Sequence, residues 1–194
     1  MPVESNAGVR TKDLLLTLMA GAVATVVIML SWREMPELRL WRSVDVALVE
    51  GPPTATLFGI IHLLFGLSIF TPSIYFLIDI TRVNQQAQAG KNNPLYLLKS
   101  GYYSLVRHPM NGMFMTTVFG FFYATSSLIG ILLIAFLVGF LHLATLYEES
   151  KWLLPRFGKE YESYMDEVRR RYLPATPQVV LSVLFIVALV GSLV

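Results

Sequence analysis

Between Met113 and Tyr147 the chain runs for 35 residues without a formally charged side chain. A water-soluble fold has little use for such a run, whereas a bilayer core of about 30 Å takes about 20 apolar residues per helical crossing. The run is too long for one ordinary crossing and too short for two full ones with a turn. Near its middle, Tyr123-Ala124-Thr125-Ser126-Ser127 has the chemistry of a tight turn. The stretch therefore predicts a helical hairpin whose first helix is short.

Three further apolar stretches accompany it: Leu14 to Trp32, Thr54 to Ile80 with Pro72 inside it, and Gln178 to Val194. The first has a rival reading as a signal sequence, but its uncharged run exceeds the usual signal core of about 7–15 residues and no small-x-small site comes after it. Only 14% of residues are charged and mean hydropathy is +0.59, where soluble domains average about 25% charged. The fold class expected is an all-α integral membrane protein with about five transmembrane helices, the tight hairpin among them. A cytoplasmic interfacial helix over 148–174 is expected as well, because Leu154, Phe157, Tyr161, Tyr164, Val168 and Tyr172 recur every three or four residues. Residues 33–53, closed by Gly51-Pro52-Pro53, read as an interfacial loop or short surface helix. The organisation is then 1–85 for the first helices, 86–175 for the region that carries the chemistry, and 176–194 for a last helix.

Five crossings place the amino terminus, residues 81–108 and residues 148–174 on one side. Those segments hold 2, 4 and 6 of the Lys and Arg residues, against Arg33, Arg39 and Arg42 opposite. The positive-inside rule makes the first side cytoplasmic, so the two polar segments meet at the cytoplasmic interface. The bases lie beside apolar segments rather than along one stripe, which argues against nucleic acid as a partner. With no cysteine, no HExxH, no GxGxxG and no P-loop, neither a metal site nor a Rossmann-type nucleotide site is expected.

Arg107 and His108 stand where a helix enters the membrane, and Pro109 suits its first turn. They read either as a basic anchor or as donors at a helix amino terminus, where free N–H groups favour an anion. Glu148 and Glu149 close the hairpin's second helix. They are either a solvated helix end or receptors for hydroxyl or ammonium groups. His142, Thr145 and Glu149, at i, i+3 and i+7, share one helix face. His62 reads as a neutral residue bonded to a neighbouring helix, and Asp79 as a headgroup-level acid able to pair with Arg82.

The run Ser100-Gly101-Tyr102-Tyr103-Ser104-Leu105-Val106-Arg107-His108-Pro109 resembles the signature of the isoprenylcysteine carboxyl methyltransferase family. The downstream elements come in a similar order too: a hydrophobic hairpin, the pair Glu148-Glu149, then Phe157-Gly158, Tyr161 and Tyr164. The resemblance covers residues 86–175 and implies an integral-membrane methyltransferase using S-adenosylmethionine, with S-adenosylhomocysteine as product. It implies cofactor contacts at Leu95, Tyr96, Leu97, Leu98, Tyr103, His108, Pro109, Met110, Asn111 and Glu149. The implied acceptor is the carboxylate of a prenylcysteine-like lipidic substrate drawn from the bilayer. Asn111 stands where the family usually has Tyr, and Gly112 is three rather than four residues past the proline. Thr145 replaces an arginine implied to handle the substrate carboxylate. Arg107, Glu148 and Arg156 are therefore the substrate-side candidates, with Arg169-Arg170-Arg171 as another source of cations. Alternatives from the residues themselves are an N-methylating enzyme of phospholipid amines, a non-catalytic transport or assembly subunit and, more distantly, a membrane reductase.

Overall fold

The chain turns helical at Thr56. Its hydroxyl accepts a hydrogen bond from the Gly59 amide (3.2 Å), and the Asp45 carboxylate accepts one from the Phe58 amide (3.0 Å). Two of the amides that a helix leaves unpaired at its start are thereby met. In this computed structural model the residues described are 39–49, 55–87 and 96–194, with four isolated positions of the first apolar run, Leu15, Leu18, Met19 and Ala22. The rest of the span expected at Leu14–Trp32, the Gly51-Pro52-Pro53 closure and Leu95 lie outside them.

Helix α1 runs from Leu57 to Ala87, 31 residues or about 46 Å. It continues seven residues past the expected end at Ile80, since no proline or glycine interrupts the chain before Gly90. Before it lies a short antiparallel pair, β1 (Ala47–Val49) and β2 (Ala55–Thr56), rather than the loop or surface helix expected there. The β-branched alternation Val44-Asp45-Val46 to Val49 favours extended backbone over helix.

The hairpin is present as expected. Helix α2 (Pro109–Ala124) and helix α3 (Leu128–Glu148) are joined by Thr125-Ser126-Ser127. Ser126 takes the left-handed conformation (φ +52°), and the Ser127 hydroxyl caps α3 by accepting from the Gly130 amide. Beyond α3, the single interfacial helix expected over 148–174 is broken into pieces. A π-helical turn (Glu149–Leu153) leads into a short helix α4 (Leu154–Phe157), then helix α5 (Lys159–Glu167), then non-helical chain to Pro174. The break falls at Gly158, whose φ of +51° an ordinary side chain rarely adopts. Tyr161, Tyr164 and Val168 still bury one face, so the periodicity is right and the continuity is not. The last helix, α6, is Ala175–Gly191, three residues earlier at each end than the expected Gln178–Val194.

Among the described residues two helical runs, Leu57–Ala87 and Leu128–Phe157, are long and apolar enough to cross a membrane. Helices α2 and α6, with 16 and 17 residues, are shorter. Exposed Leu132, Leu133, Phe136, Phe140 and Leu143 give α3 an outward apolar surface of the kind that a membrane-associated helix presents.

Lipid offers apolar surfaces no reason to leave it, so helices there associate through close packing of small residues. Gly66 of α1 lies directly against Ala124, and a Cβ on Gly120 of α2 would come within 2.6 Å of the Phe70 amide nitrogen. At the far end from Glu149, the Leu40 amide donates to the Ser126 carbonyl (2.9 Å) and the Trp41 amide to the Gly191 carbonyl (2.7 Å). That end holds the main apolar cluster, formed by Leu40, Phe119, Tyr123, Ile131, Ile134 and Ala188. Gly120→Val should destabilise the protein by at least about 1–3 kcal/mol, the usual cost of overpacking. Gly139→Ala, with open space around it, should not. Thermal unfolding of both variants in detergent checks the pair.

Candidate functional site

Glu149 is the first residue beyond α3, in the π turn, and only 5% of it is exposed. A carboxylate so placed must be met by donors or lose its charge. Here it is met on both oxygens. Oε1 accepts from Arg107 Nε (3.0 Å), lies 3.1 Å from His108 Nε2 and takes the Tyr161 hydroxyl at 3.3 Å. Oε2 lies 3.2 Å from an Arg171 guanidinium nitrogen. Burial alone would raise the carboxyl's pKa. The hydrogen bond and charge of His108, with the Arg107 and Arg171 guanidiniums, outweigh it and hold Glu149 at about 2. The same burial, with Glu149 beside it, pushes the Tyr161 phenol above its ordinary value.

Arg107 is consumed by the fold. Its Nη1 donates to the carbonyls of Val168 (2.9 Å) and Arg169 (3.3 Å), and only 8% of the residue is exposed. The backbone joins the same elements: Arg107 N donates to Arg170 O (2.9 Å) and His108 N to Arg171 O (2.7 Å). Tyr164 donates to the Tyr103 carbonyl (2.6 Å), which fixes the short 3-10 turn Gly101–Ser104 against α5. Burial, then the charge of Glu148, pushes the Tyr103 phenol up to about 12.

Of the cofactor-side residues expected, His108, Pro109, Met110 and Asn111 open α2, and His108 meets Glu149 directly. Asn111 donates to Thr145 Oγ1 across the hairpin (3.0 Å), and Met110 lies against Asn84 of α1. Leu97 packs on the Tyr161–Tyr164–Val168 cluster, Leu98 is half-buried and Tyr96 is exposed. Of the substrate-side residues expected, Arg107 is buried in the ion cluster and Arg156 lies over the ring of Phe157. Glu148 alone keeps a partly exposed carboxylate (40%), 3.7 Å from His108 Nδ1.

The remaining ionisable groups resolve as well. The helix face shared by His142, Thr145 and Glu149 does turn inward, with His142 Nδ1 2.9 Å from the Tyr172 hydroxyl. Asp79 accepts from the Tyr102 hydroxyl (2.8 Å). His62 is neutral at Nε2, which accepts from the Trp41 indole (3.2 Å), and it stacks on Tyr123. Tyr161 and Tyr172 were legible as a periodic stripe but not as hydrogen-bonding groups. Arg171 was legible as a base without a partner.

Residues 54–160, more than half of the chain, match the phospholipid methyltransferase family, and the chain belongs to that family. The family is one of membrane methyltransferases in the same broad group as the isoprenylcysteine enzymes that the sequence resembles. No curated protein and no solved structure matches the chain at a significant level. The match spans α1, the α2 start, the hairpin and Glu149; Arg171 and Tyr172 lie beyond it.

Glu149→Gln removes the charge while keeping the shape, and leaves two guanidiniums facing a neutral amide. Breaking a buried pair in this way costs about 3–5 kcal/mol. Because the folded pKa is depressed, the difference in stability between wild type and variant should be constant above pH 4.5 or so. It should close as pH falls from there toward 2. Thermal unfolding of both proteins across that range measures it.

Proposed function

We propose that this chain is an S-adenosylmethionine-dependent methyltransferase that modifies a lipid-borne acceptor at the cytoplasmic edge of the membrane. The observation that carries the proposal is the Glu149 cluster, which ties the start of α2, the end of the hairpin and residues 168–172 together where the apolar helices end. It lies within a chain whose family transfers methyl groups.

The residues present fit a cofactor that bears an ammonium group, a sulfonium and a carboxylate. Both oxygens of Glu149 are taken by the protein's own donors, so Glu148 is the carboxylate open to a ligand cation. The amides of Met110 and Asn111, in the first turn of α2 where intrahelical acceptors are lacking, suit an anion. Leu97 and Met110 supply apolar surface for a purine. When bound, the cofactor supplies an electrophilic methyl group. His108, Tyr103 and the α2 amides orient it, Glu149 holds those elements in place, and the lipid-embedded setting limits water. Alignment and exclusion of water are the main requirements of a displacement at a methyl carbon.

The prenylcysteine carboxylate implied by the resemblance would need a cation close by. Arg107 and Arg171 are engaged with Glu149 instead, which leaves the broader class, a nucleophile carried on an amphiphile, as the acceptor proposed.

Calorimetric titration of the detergent-purified protein with S-adenosylhomocysteine should show saturable micromolar binding. Glu148→Gln should weaken it about tenfold, or about 1.4 kcal/mol. A folded, monodisperse sample that takes up no heat of binding would overturn the reading.

A further inference from the structure

Tyr147 ends a stripe of exposed side chains that runs along α3 at helical spacing: Leu132, Phe136, Phe140, Leu143 and Tyr147. In an α-helix the next place on that stripe falls three or four residues later. Here the π turn intervenes, and the ring that meets Tyr147 belongs to Trp152, five residues on, edge to face with centroids 6.2 Å apart. Under α-helical winding a residue five positions on stands about 140° round the axis, so the wider turn returns the indole to the stripe. Both rings stay more than half exposed, 58% for Tyr147 and 53% for Trp152.

The chain that follows has two faces. Leu153, Leu154 and Phe157 pack inward on Tyr161, Tyr164 and Val168, while Lys151, Trp152, Pro155 and Arg156 are exposed. The Arg156 guanidinium is held 5.6 Å over the Phe157 ring. Glu148, three residues before Lys151, faces His108, and Glu149 is turned inward to Arg107 and Arg171. The acids further on lie past the Gly158 turn on α5, where Glu160 pairs with Lys99 (2.7 Å). Two amphipathic rings and two cations therefore share one surface at the level where the uncharged run from Met113 ends. Water gives exposed rings no reason to be there. The headgroup layer does, since it takes the apolar body of Trp and Tyr on one side and their polar atoms on the other. Lys and Arg at the same level reach lipid phosphates.

We propose that Tyr147, Lys151, Trp152 and Arg156 form a docking surface for an anionic phospholipid. The glycerol and upper chains of the lipid lie against the two rings, and its phosphate meets Lys151 and Arg156. This lipid is bound on the outer side of the π turn, apart from the ion cluster on the inner side, and it is not consumed. Because the patch starts two residues after Glu149, its occupation fixes the height of Glu148 and Glu149 relative to the membrane phosphates. The inference goes beyond the methyltransferase reading and stands or falls separately from it.

The test uses full-length protein reconstituted into bilayers that contain phosphatidylcholine or phosphatidylglycerol with brominated chains, which quench tryptophan on contact. The emission of Trp152 is the difference between wild type and Trp152→Phe. Both lipids should quench it, and phosphatidylglycerol should do so at a mole fraction about fivefold lower, the factor that one effective base near an anionic surface contributes. Lys151→Gln with Arg156→Gln should abolish the preference and leave the quenching itself intact, and high salt should act in the same direction on wild type. A second readout needs no tryptophan substitution: phosphatidylglycerol added to detergent micelles should raise the unfolding temperature of wild type more than that of the double variant. Trp152 emission that neither lipid quenches would overturn the proposal, as would equal quenching by the two. A preference for phosphatidylglycerol that survives in the double variant, in quenching or in unfolding temperature, would place the anionic lipid elsewhere on the protein and overturn it too.

Discussion

One carboxylate holds this architecture to its purpose. Glu149 lies at the end of the hairpin's second helix, where the exposed apolar surface gives way to charge, and it collects donors from three other segments of the chain. A buried ion cluster of this kind is a poor source of net stability compared with apolar packing, because desolvation consumes most of the attraction. Its value lies in specificity. Removing Glu149 would leave Arg107 and His108 buried without their counter-charge, which disfavours other arrangements of the α2 start, the π turn and residues 168–172. The Tyr103–Tyr164 bond and the two backbone links from Arg107 and His108 fix the same arrangement without charge.

The opposite end of the bundle is built on different physics. There Leu40, Trp41, the hairpin turn and the end of α6 interlock through backbone hydrogen bonds and aromatic stacking, with His62 held neutral by the Trp41 indole. Helices α1 and α2 are joined between the two ends by glycines that bring backbones together. The polar chemistry is thereby confined to one end, and the other end serves as the anchor for the helices that present it.

The uncharged run from Met113 to Tyr147 was enough to place the hairpin, because neither solvent nor a single helix can accommodate it. The serines at 126 and 127 located its turn. The i, i+3, i+7 relation of His142, Thr145 and Glu149 was readable for a similar reason: helical geometry alone puts them on one face. What could not be read was the set of long-range partnerships. Nothing local distinguishes Arg107 as a structural donor from Arg107 as a substrate ligand, since that depends on carbonyls about 60 residues away at Val168 and Arg169. The left-handed turn at Gly158 was hidden in the same way, since a periodic stripe persists across a break that preserves which face is buried. The strand pair before α1 is short, with β1 exposed and β2 half-buried, and such segments carry little pattern.

The π turn at Glu149–Leu153 closes with Leu154 N–H bonded back to the Glu149 carbonyl, five residues earlier. It therefore accommodates one residue more than an α-helical turn does. Taking that residue out would restore an ordinary helix and rotate the downstream chain by about 100° relative to α3. Glu149 would then still be present in the sequence, and Tyr161 would point away from it. The spacing between the hairpin and its acidic end is thus a phase relationship, and a chain in which it differs by a single position could keep every one of these residues and have no such cluster.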